Sequence, residues 1–187
     1  MSDKSETSQI KLRNVRLSYP AIFTAKAFEE GQKAKYNCQL ILGKDTHAPI
    51  IKALQAKIDE AAKSFFGKTV PTLKGVCLRD GSEKGDKDGY GEDVMFVSAS
   101  SERRPQVVDR DPSIPLVEAD GKPYAGCYVN AMISLWVQDN KFGKRVNANI
   151  LAVQFLKDGE PFGESITNAT EAFENEADEG GSEDPLA

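Results

Sequence analysis

The sequence is poor in the residues on which most catalytic and metal sites are built. It contains one histidine, His47, and three widely spaced cysteines, Cys38, Cys77 and Cys127. An odd number of cysteines without metal-ligand spacing predicts neither a disulfide framework nor a zinc site, so we expect reduced thiols in the core. The P-loop, G-x-S-x-G and H-E-x-x-H motifs are also absent. We therefore predict no catalytic residue, no metal and no cofactor, and a protein that is not an enzyme.

Long apolar segments are lacking as well. No run approaches the roughly 20 residues that a membrane helix needs. The first nine residues, MSDKSETSQ, contain no apolar segment of the kind found in a secretory signal. These features predict a cytoplasmic protein without a membrane partner.

Basic residues are missing from the last part of the chain. The final one is Lys157, and residues 158–187 hold ten acidic residues. Residues 1–157 keep 19 acidic residues against all 24 basic ones, a net charge of +5 beside a segment of −10. Because apolar residues are also scarce beyond Phe173, we expect a folded domain at 1–165 and a disordered acidic tail at 166–187. A basic body of this kind is typical of proteins that bind a polyanion.

The remaining pattern predicts a mainly β protein with a single helix. Apolar residues at three- and four-residue spacing indicate a helix over 48–66, capped by Asp45 or Thr46. The first strand should bend at Asn14, where its alternation slips, and end at Pro20, which lacks the N–H for a ladder. With no βαβ repeat, the order of elements favours an antiparallel barrel with one packed helix and long loops. Alternation predicts the strands at 9–19, 35–42, 76–78, 94–99, 127–138 and 144–156.

The last two predicted strands form a hairpin with an unusual outward face. Apolar residues occupy one side of the first of these strands, and the only tryptophan, Trp136, lies on the other side among amides and hydroxyls. Aromatic rings, amides and cations on one sheet face are what a single-stranded nucleic acid requires, because bases stack on rings and cations neutralise phosphates. The alternative is that a loop covers Trp136 as an ordinary buried aromatic residue. The candidate binding residues of the hairpin are Tyr128, Asn130, Trp136, Lys141, Phe142, Lys144, Arg145 and Asn147.

Basic residues of the first strand and its surroundings add candidate phosphate contacts. Alone they would form a solvated face, but beside an aromatic surface they fit a nucleic-acid site. These candidates are Lys11, Arg13, Arg16, Tyr19, Lys33 and Lys35.

The polar segment RDGSEKGDKDGYGED at 79–93 is the one candidate for a cation site. Aligning Gly89 with the EF-hand glycine places Lys84 at the first ligand position and Met95 at the bidentate glutamate, so that motif fails. A polar, mobile loop is the better interpretation. A metal-dependent nuclease remains an alternative function, and its carboxylates would be Asp86, Asp88, Glu92 and Asp93.

Several sequence segments, in order along residues 10–165, resemble those of a family of bacteriophage single-stranded-DNA-binding proteins of the OB-fold type. They are the strand 36–42 before the helix, RRPQVVDR at 103–110, YAGCYVNA at 124–131 and LAVQFLKDGEPFG at 151–163. The resemblance implies an OB barrel with the DNA strand in a groove, little sequence preference, a role in phage DNA replication or recombination, and location in the host cytoplasm. It also implies an acidic tail that contacts replication proteins. Many such tails end in an aromatic residue, whereas this chain ends EDPLA.

The resulting hypothesis is a protein that covers unpaired DNA by stacking and phosphate contacts. In an OB fold the last connecting loop flanks the groove, so the hairpin tip should act as a clamp. The alternatives are an OB module that binds an oligosaccharide or a protein and, less in keeping with the sequence, the nuclease.

The charge asymmetry leads to a first testable prediction. Deleting residues 171–187 should tighten binding to oligo-dT severalfold in dilute buffer, because a tethered acidic segment competes with DNA for the same Lys and Arg residues. Screening acts over about 10 Å at 0.1 M salt, so the gain should shrink as salt is added. Titrations of full-length and truncated protein at two salt concentrations measure the effect. Equal affinities at low salt would mean that the tail does not reach the groove.

Overall fold

The computed structural model describes residues 9–27 and 29–163, together with residues 173 and 177. Almost all of the predicted tail therefore lies outside the described residues. Short 3-10 helices occupy Gly81–Lys84 and Glu118–Asp120. In chain order the main elements are β1 (Ile10–Lys26), β2 (Lys35–Gly43), α1 (Ala48–Phe66), β3 (Gly75–Val76), β4 (Leu78–Asp80), β5 (Val94–Ser101), β6 (Gln106–Val108), β7 (Tyr128–Asn140) and β8 (Gly143–Lys157).

Five of the strands close into a barrel. Around the barrel the order is β1, β2, β5, β8, β7 and back to β1. The neighbours are antiparallel except for β5 and β8, which run parallel and complete the ring. This is a five-stranded OB-like barrel with one packed helix, so the predicted fold class is confirmed.

The strand β8 is paired along both edges. One edge forms the long hairpin with β7, which turns over Lys141 and Phe142. The other edge receives three parallel segments in succession, β3, β5 and β6. An unpaired strand edge invites association with other chains, and this arrangement leaves β8 little free edge.

The strand β1 is longer than predicted and contains a bulge at Asn14, a second bulge at Tyr19 and Pro20, and a further register shift between Ala21 and Lys26. The expected bend at Asn14 is confirmed, since the register with β7 shifts between Leu12 and Val15, and Asn14 has a φ of 54°. The prediction that Pro20 ends the strand is wrong. Tyr19 and Pro20 together face one β2 residue between the pairs Ser18–Gln39 and Ala21–Asn37. A bulge residue needs no ladder hydrogen bond, so proline is tolerated there and β1 continues to Lys26.

The helix α1 spans the predicted residues and packs on β7 and β8. The predicted cap is wrong, because His47 occupies the N-cap position without a side-chain cap bond. Its ring instead connects two strands. Nδ1 accepts from the Gly43 amide at 3.1 Å, and Nε2 lies 3.0 Å from the Asn14 carbonyl oxygen, so the single histidine helps to hold the first bulge.

The core is formed by alternate residues of the barrel strands and by one side of the helix. Leu54 and Ile58 of α1 are buried against this core, as are the odd-numbered residues 129–137 of β7. The three cysteines are free and buried, and burial raises the pKa of the Cys38 thiol to about 12. They are core thiols, as predicted. Among the described residues, no helix is both long and apolar enough to cross a membrane.

A close backbone contact at Gly126 leads to a prediction about stability. Gly126 has a φ of +104°, and a β-carbon there would clash with the Glu160 carbonyl oxygen. Gly126→Ala should therefore lower the free energy of unfolding by about 3 kcal/mol or more, since strain and a backbone clash act together. Gly31→Ala is the matched control: Gly31 has a φ of +86° but open space around it, so only strain of about 1 kcal/mol applies. Urea unfolding followed by circular dichroism measures both, and equal losses would contradict the clash.

Candidate nucleic-acid interface

An open groove of about 810 Å³ crosses one face of the barrel. It runs over β2, β5 and the β7–β8 hairpin, and the bulge of β1 forms part of its border. This is the surface on which OB folds bind oligonucleotides. The lining comprises Tyr19, Pro20, Ala21, Lys26, Lys35, Asn37, Cys38, Gln39, Lys84, Ser98, Ala99, Ser100, Trp136, Gln138, Asn147 and Ala148.

Strand register places polar side chains in a row across the groove floor. Trp136 pairs with Asn147, and Gln39 pairs with Ser98. Because Ala99 pairs with Ala148 between β5 and β8, Ser98 lies beside Asn147 and the two pairs form one continuous row. Four adjacent strands span roughly 14 Å at the usual strand spacing. The row therefore offers a ring at one end and hydrogen-bonding groups along the rest.

Trp136 faces the groove because of the alternation along β7. Its neighbours Leu135 and Val137 are buried in the core, so the indole projects from the opposite face. It is partly buried and lines the groove with Tyr19, which is 49% exposed on the β1 bulge. The alternative, in which a loop covers Trp136 completely, does not occur among the described residues. Both rings are placed where a base can stack.

Three lysines bring positive charge to the groove, and none of the described residues that line it is acidic. Lys26 and Lys35 are direct partners in the β1–β2 register. Like charges opposite each other on neighbouring strands repel, so an anion between them would relieve an unfavourable contact. The end of the groove formed by β1 and β2 is thus suited to a phosphate.

The third lysine, Lys84, lies among aromatic rings. Its Nζ is 5.0 Å from the ring centre of Tyr19, 5.4 Å from that of Phe96 and 5.6 Å from that of Tyr90. Rings at such distances stabilise a cation through their quadrupoles. Burial lowers the pKa of the Lys84 ammonium below its ordinary value, and the charge of Arg79 lowers it further.

The groove includes only some of the predicted binding residues. Tyr19, Lys35, Trp136 and Asn147 line it. The DNA-binding roles of all the candidates remain predictions, and several of the candidates outside the groove have other contacts in the fold.

Arg16, Tyr128 and Asn130 lie toward the other end of β7. Eight residues of strand separate Tyr128 from Trp136, roughly 26 Å, so one strand face serves two distant regions. The Arg16 guanidinium lies over the rings of Tyr128 and Phe162 and donates to the carbonyls of Gly126 and Glu160. Asn130 accepts from the Asn14 amide at 2.9 Å in the first bulge. These contacts support the fold.

The remaining candidates are surface cations and the hairpin tip. Lys11 and Arg13 are exposed on β1, and Lys33 pairs with Glu102 at 3.3 Å. At the hairpin, Lys144 pairs with Asp139 at 2.9 Å. Phe142 is 63% exposed beside Lys141, and the Arg145 guanidinium lies next to Gly75. Gln138, the register partner of Arg145, lines the groove, so the hairpin rises from one of its ends.

Sequence reasoning missed several lining residues. The polar face of β2 carries a detectable signal, because Asn37 and Gln39 alternate with buried Cys38 and Leu40. Lys84 carries no such signal, since its position depends on how the segment after β4 folds back. The other polar lining residues that were missed are Lys26, Ser98, Ser100 and Gln138.

The carboxylates of the segment 79–93 do not gather into a metal site. Within residues 9–27 and 29–163, no group of three or more His, Cys, Asp or Glu side chains is placed to hold an ion. Asp88, one of the four suggested for a nuclease, accepts from the Gly163 amide at 2.9 Å.

Comparisons with known proteins agree with this geometry. The family model described as the ssDNA-binding protein of Enterobacter phage Enc34 matches residues 8–183. Putative protein p50 of Acyrthosiphon pisum secondary endosymbiont phage 1 is 35% identical over 176 residues, which cover 89% of this chain and 93% of that protein. A solved structure of the single-stranded DNA-binding protein from bacteriophage Enc34 in complex with ssDNA has a TM-score of 0.76 and 33% identity, covering 83% of this chain and 89% of that one. A second structure of the Enc34 protein has a TM-score of 0.72 and 31% identity, covering 89% and 90%.

The position of Trp136 leads to a prediction about binding. If a base stacks on the indole, oligo-dT should quench its fluorescence, and Trp136→Ala should cost about 1–3 kcal/mol of binding free energy. Tyr128 is another outward ring of the same strand but lies outside the groove, so Tyr128→Ala should cost less binding free energy than Trp136→Ala. Fluorescence anisotropy of labelled oligo-dT measures both variants. Equal losses in the two variants would place the DNA along the whole outer face of β7 rather than in the groove.

Proposed function

The chain belongs to the family of the single-stranded-DNA-binding protein of Enterobacter phage Enc34, and from this membership we propose that it binds unpaired DNA in the groove described above. Binding is stoichiometric and independent of a cofactor. By covering exposed bases the protein prevents re-pairing and nuclease attack during phage DNA replication or recombination in the host cytoplasm.

The observation that carries this proposal is the combination of rings and cations in one groove. Trp136 and Tyr19 offer stacking surfaces, the row from Asn147 to Gln39 offers hydrogen bonds, and lysines stand beside them. Stacking tolerates every base because each has a π-face, and phosphate contacts are independent of sequence. The groove thus suits a strand of any sequence.

We assign separate roles to the basic and the acidic parts of the chain. The domain at 1–165 binds the strand, and the acidic segment at 166–187 contacts replication proteins. The hairpin tip with Lys141, Phe142, Lys144 and Arg145 extends the binding surface beyond the end of the groove.

Salt dependence tests the proposal and locates the phosphates. Each phosphate neutralised on a single strand adds about 0.7 to the slope of log K against log salt. Replacing both Lys26 and Lys35 with Ala should therefore flatten the slope by about 1.4, because both ammonium groups line the groove. Titrations of oligo-dT across a series of salt concentrations give the slope.

The double variant Lys144→Ala/Arg145→Ala tests the hairpin in the same way. It removes two positive charges outside the groove and should also flatten the slope by about 1.4 if both of them meet phosphates. An unchanged slope of log K against log salt in the Lys26/Lys35 variant would mean that the β1–β2 end of the groove does not contact DNA.

The alternatives make different predictions in the same experiments. A module for an uncharged oligosaccharide would bind its ligand with little salt dependence. A nuclease would cleave labelled single strands when Mg²⁺ or Mn²⁺ is added, whereas a binding protein leaves them intact.

A further inference from the structure

The Gln39 side chain lies in the groove with its amide held in one orientation. The Lys84 Nζ is 3.2 Å from Gln39 Oε1, and the Tyr90 hydroxyl bonds to the same oxygen. An ammonium group has hydrogen-bond donors only, so the amide atom that faces it must be the oxygen. The contact with Lys84 therefore settles which end of the amide is the carbonyl.

The surroundings keep this arrangement in place. Tyr90 packs edge-on against Phe96, with ring centres 5.2 Å apart, and burial raises the pKa of its hydroxyl to about 12. The hydroxyl thus stays protonated and available as a donor at any pH near neutral. With two donors on Oε1, turning the amide over would set an NH₂ group against an ammonium and a hydroxyl proton.

The other end of the amide is available to a ligand. Gln39 Nε2 has no hydrogen-bond partner among the described residues, and Gln39 lines the groove beside Ser98. Gln138 is a useful contrast in the same groove. Its Nε2 already donates to Asn140 Oδ1 at 3.1 Å, and its Oε1 accepts from Asn147.

We propose that Gln39, fixed by Lys84 and Tyr90, is a specificity-determining donor that favours bases with a carbonyl oxygen over bases with an amino group at the corresponding position. Thymine O4 and guanine O6 are acceptors, whereas cytosine N4 and adenine N6 carry donors. A fixed amide donor gains a hydrogen bond with thymine or guanine. With cytosine or adenine it faces a second donor. This inference rests on the proposed function and adds a modest base preference to it.

The preference is measured by comparing oligo-dT with oligo-dC of about 15 nucleotides, near the upper site size of one OB fold. Both are pyrimidines, so differences in stacking are small, and mildly alkaline buffer keeps cytosine unprotonated. The wild-type protein should bind oligo-dT about fivefold more tightly, the value of one ordinary hydrogen bond.

The decisive variant is Gln39→Glu. The carboxylate keeps the shape of the amide and still accepts from Lys84 and Tyr90, but its second oxygen is an acceptor where the NH₂ was a donor. The affinity for both oligonucleotides should fall because a negative charge has entered the groove. Their ratio should reverse in favour of oligo-dC.

Two further variants separate donor chemistry from charge and from folding. Gln138→Glu adds the same charge to the same groove but replaces an NH₂ group that is already bonded, so the ratio should stay at the wild-type value. Gln39→Met keeps the length of the side chain without either polar group and should bring the ratio close to one. Far-ultraviolet circular dichroism checks that each variant is folded.

Each outcome has a distinct meaning. A reversal with Gln39→Glu and none with Gln138→Glu supports the proposal. An unchanged ratio in folded Gln39→Glu and Gln39→Met, with DNA still bound, overturns it and leaves single-strand binding intact. Failure of the wild-type protein to bind either oligonucleotide would instead overturn the proposed function.

Discussion

Closure of the barrel rests on a short parallel contact between β5 and β8. Only Ala99 with Ala148 and Ser100 with Asn149 are register partners there. Both alanines are almost completely buried, and their small side chains let the strands meet without filling the interior. The rest of the ring is antiparallel and is joined by longer ladders. Without the β5–β8 contact, the five strands would form an open sheet instead of a closed ring.

The same contact assembles the groove. It places Ser98 next to Asn147 and so joins the β2–β5 half of the floor to the β7–β8 half. The Gln39 amide on one half is thereby set in the same row as Trp136 on the other. Lys84 and Tyr19 then complete the border from segments outside the regular ladders. The closed barrel and the groove thus depend on one set of strand pairings.

Much of the fold and part of the groove were predictable from the sequence, because the periodicity of apolar residues indicates directly which side chains are buried. The helix over 48–66 follows from apolar residues at three- and four-residue spacing, and the outward direction of Trp136 follows from alternation of apolar and polar residues. The continuation of β1 past Pro20 was not predictable, since it depends on a bulge that β2 accommodates. The periodic pattern also does not define which part of an outward strand face belongs to the groove. Arg16 and Tyr128 share a pattern with the groove residues but support the chain near Gly126. Lys84 reaches the groove from the end of a short 3-10 helix, whose position no periodic pattern predicts.

The pairing of β1 with β7 has a consequence for the order in which the protein can form. Leu12 and Ala131 are register partners although more than a hundred residues separate them. Contacts between residues so distant in the chain slow folding, because the entropy of closing the loop is lost before the contact forms. On a chain made from its N-terminus, β1 is made before its partner β7, and β5 before its partner β8. The lysines of the β1–β2 end are therefore synthesised well before Trp136, and the groove is complete only once β7 and β8 have been made.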